Sequence, residues 1–120
     1  MSRDKQRLFD YLEHILRAIE RIDRYTDDID EVAFLQSEMA QDAVVRNFEV
    51  IGEACHNIEV HFSEFAASHP ELPLAFAYQM RNALAHGYFK IDFEIVWKTI
   101  QNELAGLYVQ VQQLLQDLSQ

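Results

Sequence analysis

Apolar residues recur every three or four positions along three long stretches of the chain, a spacing typical of helices that bury one face. The first stretch predicts a helix over about residues 4–25, and the second predicts a helix over about 38–62. The third and most regular stretch predicts a last helix that begins at Phe93 and continues to Leu118. The apolar positions are Leu8, Leu12, Ile15, Ile19 and Ile22 in the first helix; Val44, Phe48, Ile51, Cys55, Ile58 and Phe62 in the second; and Phe93, Trp97, Ile100, Leu104, Leu107, Val111, Leu114 and Leu118 in the last.

The segments between these stretches contain residues that begin and end helices. The acidic turn formers of YTDDIDE separate the first helix from the second. Pro73 suits the first turn of a third, shorter helix over about 73–86, because its missing N–H needs no partner there. Gly87 can end that helix, and Asp92 can cap the start of the last one. Narrow apolar faces on four helices predict an all-α fold, an antiparallel bundle of four main helices with room for one extra short helix.

Composition places the chain among folded, soluble domains. It has 120 residues, 49% of them hydrophobic, which predicts a single domain over residues 1–120. No apolar run is long enough to cross a membrane, and the charged start MSRDKQRLFDYLEH lacks the apolar core of a signal peptide. The single cysteine, Cys55, excludes an internal disulfide. We therefore expect a cytoplasmic protein that does not associate with a membrane.

The net charge of −10 is concentrated in the middle of the chain. Residues 26–78 hold eleven acidic residues and one basic residue, whereas 1–25 and 79–120 are both close to neutral. A broad basic surface for nucleic acid is therefore missing, and no binding to DNA is expected. Any binding to a polyanion would need a local site, a groove formed by an oligomer, or a partner.

The second predicted helix carries a second, polar face. Its residues are Asp42, Arg46, Glu49 and Glu53. At about 100° per residue, this face lies opposite the apolar stripe of the same helix. It could be a solvated face with pairs one turn apart, such as Asp42–Arg46, or an interface with another chain. The sequence leaves both interpretations open.

The segment MRNALAHGYF places polar side chains in apolar surroundings. Asn82 and His86 lie four residues apart and share one face of a helix. Arg81 and His86 are about 140° apart around the axis and about 7.5 Å apart along it. They could hold one small group only if the arginine folds across the surface or the helix ends near Ala85.

The chemistry of these side chains suits a phosphodiester substrate. Arg81 offers a fork of donors to phosphate, and His86 can exchange a proton near neutral pH. No metal or cofactor is predicted, because the one set with ligand-like spacing, Cys55, His56 and Glu59, includes a residue of the apolar stripe. The alternative is structural: an arginine and a histidine in one helix often cap carbonyls or pair with acids.

The same segment resembles the R-x4-H-x-Y signature of HEPN domains of the HepT-like type. RNALAHGY matches the signature, and MAQDAVVRNFEVIGEA resembles the second long helix of the family. HPELP resembles its loop, and GYFKIDFEIVW resembles the start of its last helix. The resemblance covers most of residues 5–115, and the order of these neighbours makes it specific.

The resemblance implies a homodimeric helical bundle that acts as a metal-independent ribonuclease. Proteins of this branch resemble toxins whose antitoxin is an MntA-like nucleotidyltransferase, and transfer of AMP to the motif tyrosine can silence them. On this chain, Arg81 and His86 would be catalytic and Asn82 would support them. Tyr88 would be the modified residue, although from the residues alone it reads as an aromatic packing residue.

Cleavage of RNA through its own 2′-hydroxyl needs one group to take a proton and another to give one. Each chain has one motif histidine, so a two-fold dimer would supply both groups at a cleft across its axis. We therefore predict that one His86 acts as base and the other as acid, beside a pair of Arg81 side chains. The alternative function is a non-catalytic helical subunit that presents substrate to a nucleotidyltransferase; the intact motif favours the ribonuclease.

Overall fold

The computed structural model describes residues 3–72 and 91–119, and all regular structure within these ranges is helical. The helices are α1 (Arg3–Thr26), α2 (Glu31–Gln36), α3 (Glu38–His61), α4 (Ser63–Ser68), α5 (Phe93–Asn102) and α6 (Leu104–Leu118). The predicted all-α class is confirmed. The predicted third helix over about 73–86, together with Pro73 and Gly87, lies outside the described residues.

The first two predicted helices are confirmed almost to the residue as α1 and α3. The whole predicted apolar stripe of α1 is buried. Five of the six predicted positions of α3 are buried as well, and Phe62, which caps the end of α3, is half-buried. Fully burying one large apolar side chain stabilises a fold by about 1.5–3 kcal/mol. These two stripes therefore supply much of the hydrophobic stabilisation of the bundle.

Helix α1 lies between α3 and α6 and runs antiparallel to both. Near the start of α1, the ring of Tyr11 packs edge-on against that of Phe62 at the end of α3, with 6.2 Å between centroids. Towards the end of α1, Glu20 accepts a hydrogen bond of 2.9 Å from Tyr108, which lies early in α6. Phe9 and Leu115, early in α1 and late in α6, line one shallow depression. The predicted antiparallel arrangement therefore holds for these three helices.

The single last helix predicted from Phe93 to Leu118 is wrong in one respect, because the structure divides it at Glu103 into α5 and α6. Asp92 caps α5 as predicted, accepting from the backbone N–H of Glu94 at 3.0 Å. One turn before the break, the Thr99 hydroxyl donates to the Ile95 carbonyl at 2.8 Å, a back-bond that favours bending. The buried face of α5 also shifts. Val96, Thr99 and Ile100 are buried, whereas Phe93 and Trp97 are half-buried.

Two short helices, α2 and α4, were not predicted individually. The side chain of Asp30 caps α2 by accepting from the N–H of Ala33 at 2.9 Å. One fully buried residue, Phe34, anchors α2 to the bundle by packing against Phe93 and Trp97 at centroid distances of 6.1 and 5.3 Å. A six-residue helix shows less than two turns of periodicity, so the spacing of apolar residues cannot reveal it.

Among the helices of the described ranges, none combines the length and the apolar content that crossing a membrane requires.

Candidate functional site

The predicted catalytic motif lies in the part of the chain that the structure does not describe. Arg81, Asn82, His86 and Tyr88 all belong to it, so their roles and the dimer cleft stay predictions. The described residues on either side are tied to the bundle. Leu72 is buried, and its N–H donates to the carbonyl of His69 at 3.1 Å. Asp92 caps α5, and the two ends between which the motif lies are therefore fixed.

A groove of about 470 Å³ runs between α1 and α3, and we refer to it as the α1/α3 groove. Its lining consists of Tyr11 and His14 from α1 and of Arg46, Glu49, Val50, Glu53, Ala54 and Asn57 from α3. Three of the four residues predicted as a possible interface thus share one concave surface. The fourth, Asp42, is exposed nearer the start of α3 and is not part of the lining.

Helix α1 presents Tyr11 and His14 to this groove from adjacent turns. Three neighbours hold Tyr11 in place. Its ring packs edge-on against Phe62 and, at 6.4 Å, against His14, and its hydroxyl accepts a hydrogen bond from Arg7 at 3.3 Å. That hydrogen bond raises the pKa of the Arg7 guanidinium. Tyr11 therefore forms a fixed wall of the groove, while His14 is exposed.

Three polar residues line this surface although the sequence did not predict it: Tyr11, His14 and Asn57. A signal existed for Asn57, because it continues the series Glu49, Glu53, Asn57 at helical spacing by one more turn. Tyr11 could not be assigned to the groove from spacing alone, since its position depends on how α1 packs against α3.

The groove carries charges of both signs. Arg46 is exposed, and the lining also includes the carboxylates of Glu49 and Glu53. The predicted pair Asp42–Arg46 is not among the ion pairs within residues 3–72 and 91–119. Arg17, by contrast, pairs with Glu13 and with Glu20, at 3.7 and 3.0 Å. The Arg46 guanidinium therefore makes no ion pair with Asp42 and remains accessible to a partner of suitable charge.

Cys55 is a core residue, as its position in the apolar stripe predicted. Burial, with a further contribution from the charge of Glu59, raises the pKa of the thiol to about 12. The thiol is therefore protonated at physiological pH, and a protonated thiol is neither a metal ligand nor a nucleophile. Within the described part of the chain, no three His, Cys, Asp or Glu side chains are grouped so that they could hold a metal ion.

Comparison with known proteins gives one consistent family. The family model described as Ribonuclease HepT-like matches residues 15–114. A relative from Thermococcus cleftensis named "Probable ribonuclease HepT" is 41% identical over 98 residues, covering 82% of this chain and 86% of the relative. A relative from Caldanaerobacter subterraneus, named as a candidate RNase, is 36% identical over 106 residues, covering 88% of this chain and 92% of that protein.

A further relative, from Methanocaldococcus jannaschii, is named both as a gamma-glutamylcyclotransferase and as a candidate RNase. It is 34% identical over 108 residues, which are 90% of this chain but only 47% of the relative. The chain thus spans about half of that longer protein. No solved structure matches the chain.

Proposed function

This chain belongs to the HepT-like ribonuclease family, and we propose that it is a metal-independent endoribonuclease that acts as a homodimer. The observation that carries the proposal is the family match over residues 15–114, within which Arg81 and His86 stand at the R-x4-H spacing. Arginine and histidine together supply what cleavage of a phosphodiester needs: a fixed positive charge and a group that transfers protons near neutral pH.

The proposed reaction uses the 2′-hydroxyl of the substrate as the nucleophile. His86 of one subunit takes the 2′-hydroxyl proton as the oxygen attacks phosphorus, and His86 of the partner subunit gives a proton to the departing 5′-oxygen. The two Arg81 guanidinium groups stabilise the negative charge that accumulates on the phosphoryl oxygens. The products are a 2′,3′-cyclic phosphate and a 5′-hydroxyl, and Asn82 supports the two catalytic side chains.

We further propose that the protein is the toxin of a toxin–antitoxin pair. An MntA-like nucleotidyltransferase would supply the silencing step: the Tyr88 hydroxyl attacks the α-phosphorus of ATP, pyrophosphate leaves, and AMP stays on the tyrosine. The added phosphate would lie two residues from His86 in sequence and would compete with the substrate phosphate for Arg81. Removal of this AMP would restore activity.

The proposal is tested by incubating the purified protein with total RNA in excess EDTA, after mass spectrometry has shown that Tyr88 is unmodified. The wild type should cleave RNA and leave 2′,3′-cyclic phosphate ends. His86→Ala should lose at least about 100-fold in rate, the usual contribution of a group that transfers a proton in the transition state. His61→Ala, which alters an exposed histidine at the end of α3, is the matched control and should cleave like the wild type.

Equal cleavage by the wild type and by His86→Ala would contradict the assignment of His86. Complete absence of cleavage by unmodified wild type would favour the second candidate, a non-catalytic helical subunit that presents substrate to a nucleotidyltransferase. The observation that favours this second candidate is the charge distribution, because eleven acids against one base in residues 26–78 suit a basic protein better than RNA.

A further inference from the structure

A second groove lies where the end of α1, helix α2 and the start of α3 meet, and we call it the α2 groove. Its volume is about 430 Å³. Its lining is Tyr25, Ile29, Ala33, Ser37, Met39, Ala40 and Ala43, so that only one lining side chain, that of Ser37, is small and polar. The α2 groove shares no residue with the α1/α3 groove.

Large apolar side chains are exposed at the α2 groove and beside it. Met39 is 82% exposed although it lies in the first turn of α3, and Tyr25 is 37% exposed at the end of α1. Val32, on α2, is 62% exposed. Exposed apolar surface that surrounds a depression is typical of a protein-binding site. A methionine suits such a site because its flexible, polarisable side chain adapts to different partners.

Along the chain, acidic residues lie between and beside the residues that form this apolar surface. Residues 25–45 contain no lysine, arginine or histidine, and they contain six acids: Asp27, Asp28, Asp30, Glu31, Glu38 and Asp42. None of the six forms an ion pair within residues 3–72 and 91–119. Burial, with a smaller contribution from the charge of Asp27, raises the pKa of nearby Asp23.

Local helix stability explains part of this acidity but not the whole surface. Asp30 caps α2, while Glu31 and Glu38 lie in the first turns of α2 and α3, where the helix dipole favours negative charge. Asp27 and Asp28 precede the cap, and Asp42 lies in the second turn of α3, so none of these three has that role. Helix capping also gives no reason for the exposure of Met39.

We propose that the α2 groove binds a basic, amphipathic segment of another protein. Its apolar side chains would enter the groove beside Met39, and its lysines or arginines would face the surrounding carboxylates. A cation already lies near the aromatic edge of the groove, since the Arg24 guanidinium is 5.7 Å from the centroid of the Tyr25 ring. The proposal does not depend on ribonuclease activity.

Charge complementarity selects this occupant over two others. A second copy of the chain, related by a two-fold axis, would bring the same six carboxylates against their own images. RNA would bring phosphates against them. A cationic segment instead gains attraction at the edge and apolar contact at the centre, the arrangement found in most protein interfaces.

The test uses a fluorescent helical peptide of roughly five turns, with leucines on one face and lysines and arginines on the other. Its acidic twin has glutamate at every basic position. Fluorescence anisotropy against the full chain, at about 50 mM salt so that screening is weak, should show binding of the basic peptide alone. Met39→Ala should weaken that binding by about tenfold or more, the effect expected of a central contact residue. Val109→Ala, at a position 64% exposed on α6, should leave it unchanged.

A second variant separates the charge contribution from the apolar one. Asp27→Asn combined with Asp42→Asn should weaken binding at low salt and make it less dependent on salt, while circular dichroism confirms that the helices are intact. Three results would overturn the proposal: no binding by the wild type, equal binding of the acidic twin, or equal affinity in Met39→Ala. Light scattering that shows a loss of self-association in Met39→Ala would also overturn it, by assigning the groove to a second copy.

Discussion

Among individual residues, Glu20 connects two long helices through a side-chain hydrogen bond. It accepts a hydrogen bond from Arg17 at 3.0 Å on its own helix and one from Tyr108 at 2.9 Å on α6. The bonds from Arg17 and Tyr108 lower the pKa of the Glu20 carboxyl. The Arg17 contact has helical spacing and can be predicted from sequence. Tyr108 is 88 positions away, and no local pattern could pair it with Glu20.

Tyr108→Phe should therefore decrease the free energy of unfolding slightly at neutral pH. A carboxyl whose pKa is lowered by folding stabilises the protein above its unfolded pKa, and that contribution is lost as pH falls through the folded value. The difference between wild type and variant should shrink over the same acidic range, because a protonated Glu20 no longer offers a charged acceptor. Urea denaturation across acidic and neutral pH measures it.

Tyr25→Phe is the control for this prediction, since the Tyr25 hydroxyl makes no hydrogen bond within the described residues. It should leave stability unchanged at every pH. If Tyr108→Phe lowers stability equally at acidic and neutral pH, the contact does not act through the ionised form of Glu20.

At the scale of helices, long regular stripes could be predicted from sequence and short or interrupted helices could not. Helices α1 and α3 each span 24 residues, and their apolar spacing repeats often enough to fix their bounds. The break at Glu103 escaped prediction because Ile100 and Leu104 keep the four-residue step across it. Helix α2 depends on a contact distant in sequence, the packing of Phe34 against α5.

Phe34→Ala should consequently destabilise the protein by about 3–5 kcal/mol, because it leaves a cavity where α2, α3 and α5 meet. Guanidinium denaturation would measure the loss. Val32→Ala, on the same helix but 62% exposed, is the matched control and should change stability by less than about 0.5 kcal/mol. A loss below about 1 kcal/mol in Phe34→Ala would mean that α2 contributes little to the core.

For the whole molecule, the chemistry predicted from the sequence depends on an arrangement that one chain cannot supply. The motif was recognisable because Arg81, His86 and Tyr88 keep a fixed spacing, whereas the distances across the proposed dimer cleft cannot be read from that spacing. The acidic body of the protein adds a further requirement. General attraction for RNA is weak on such a surface, so the proposed dimer would have to concentrate positive charge at its cleft.

Mixing wild-type and variant subunits tests whether cleavage needs His86 from both members of the proposed dimer. If cleavage needs His86 from both subunits, dimers that combine wild type with His86→Ala are inactive. Refolding equal amounts of the two together should then leave about a quarter of the activity of an all-wild-type dimer preparation, because random pairing yields that share of fully wild-type dimers. The same mixture made with His61→Ala should keep full activity, which controls for losses during refolding. A residual activity of about one half would show that each subunit cleaves with its own His86, and the proposed division into base and acid across the dimer axis would then be wrong.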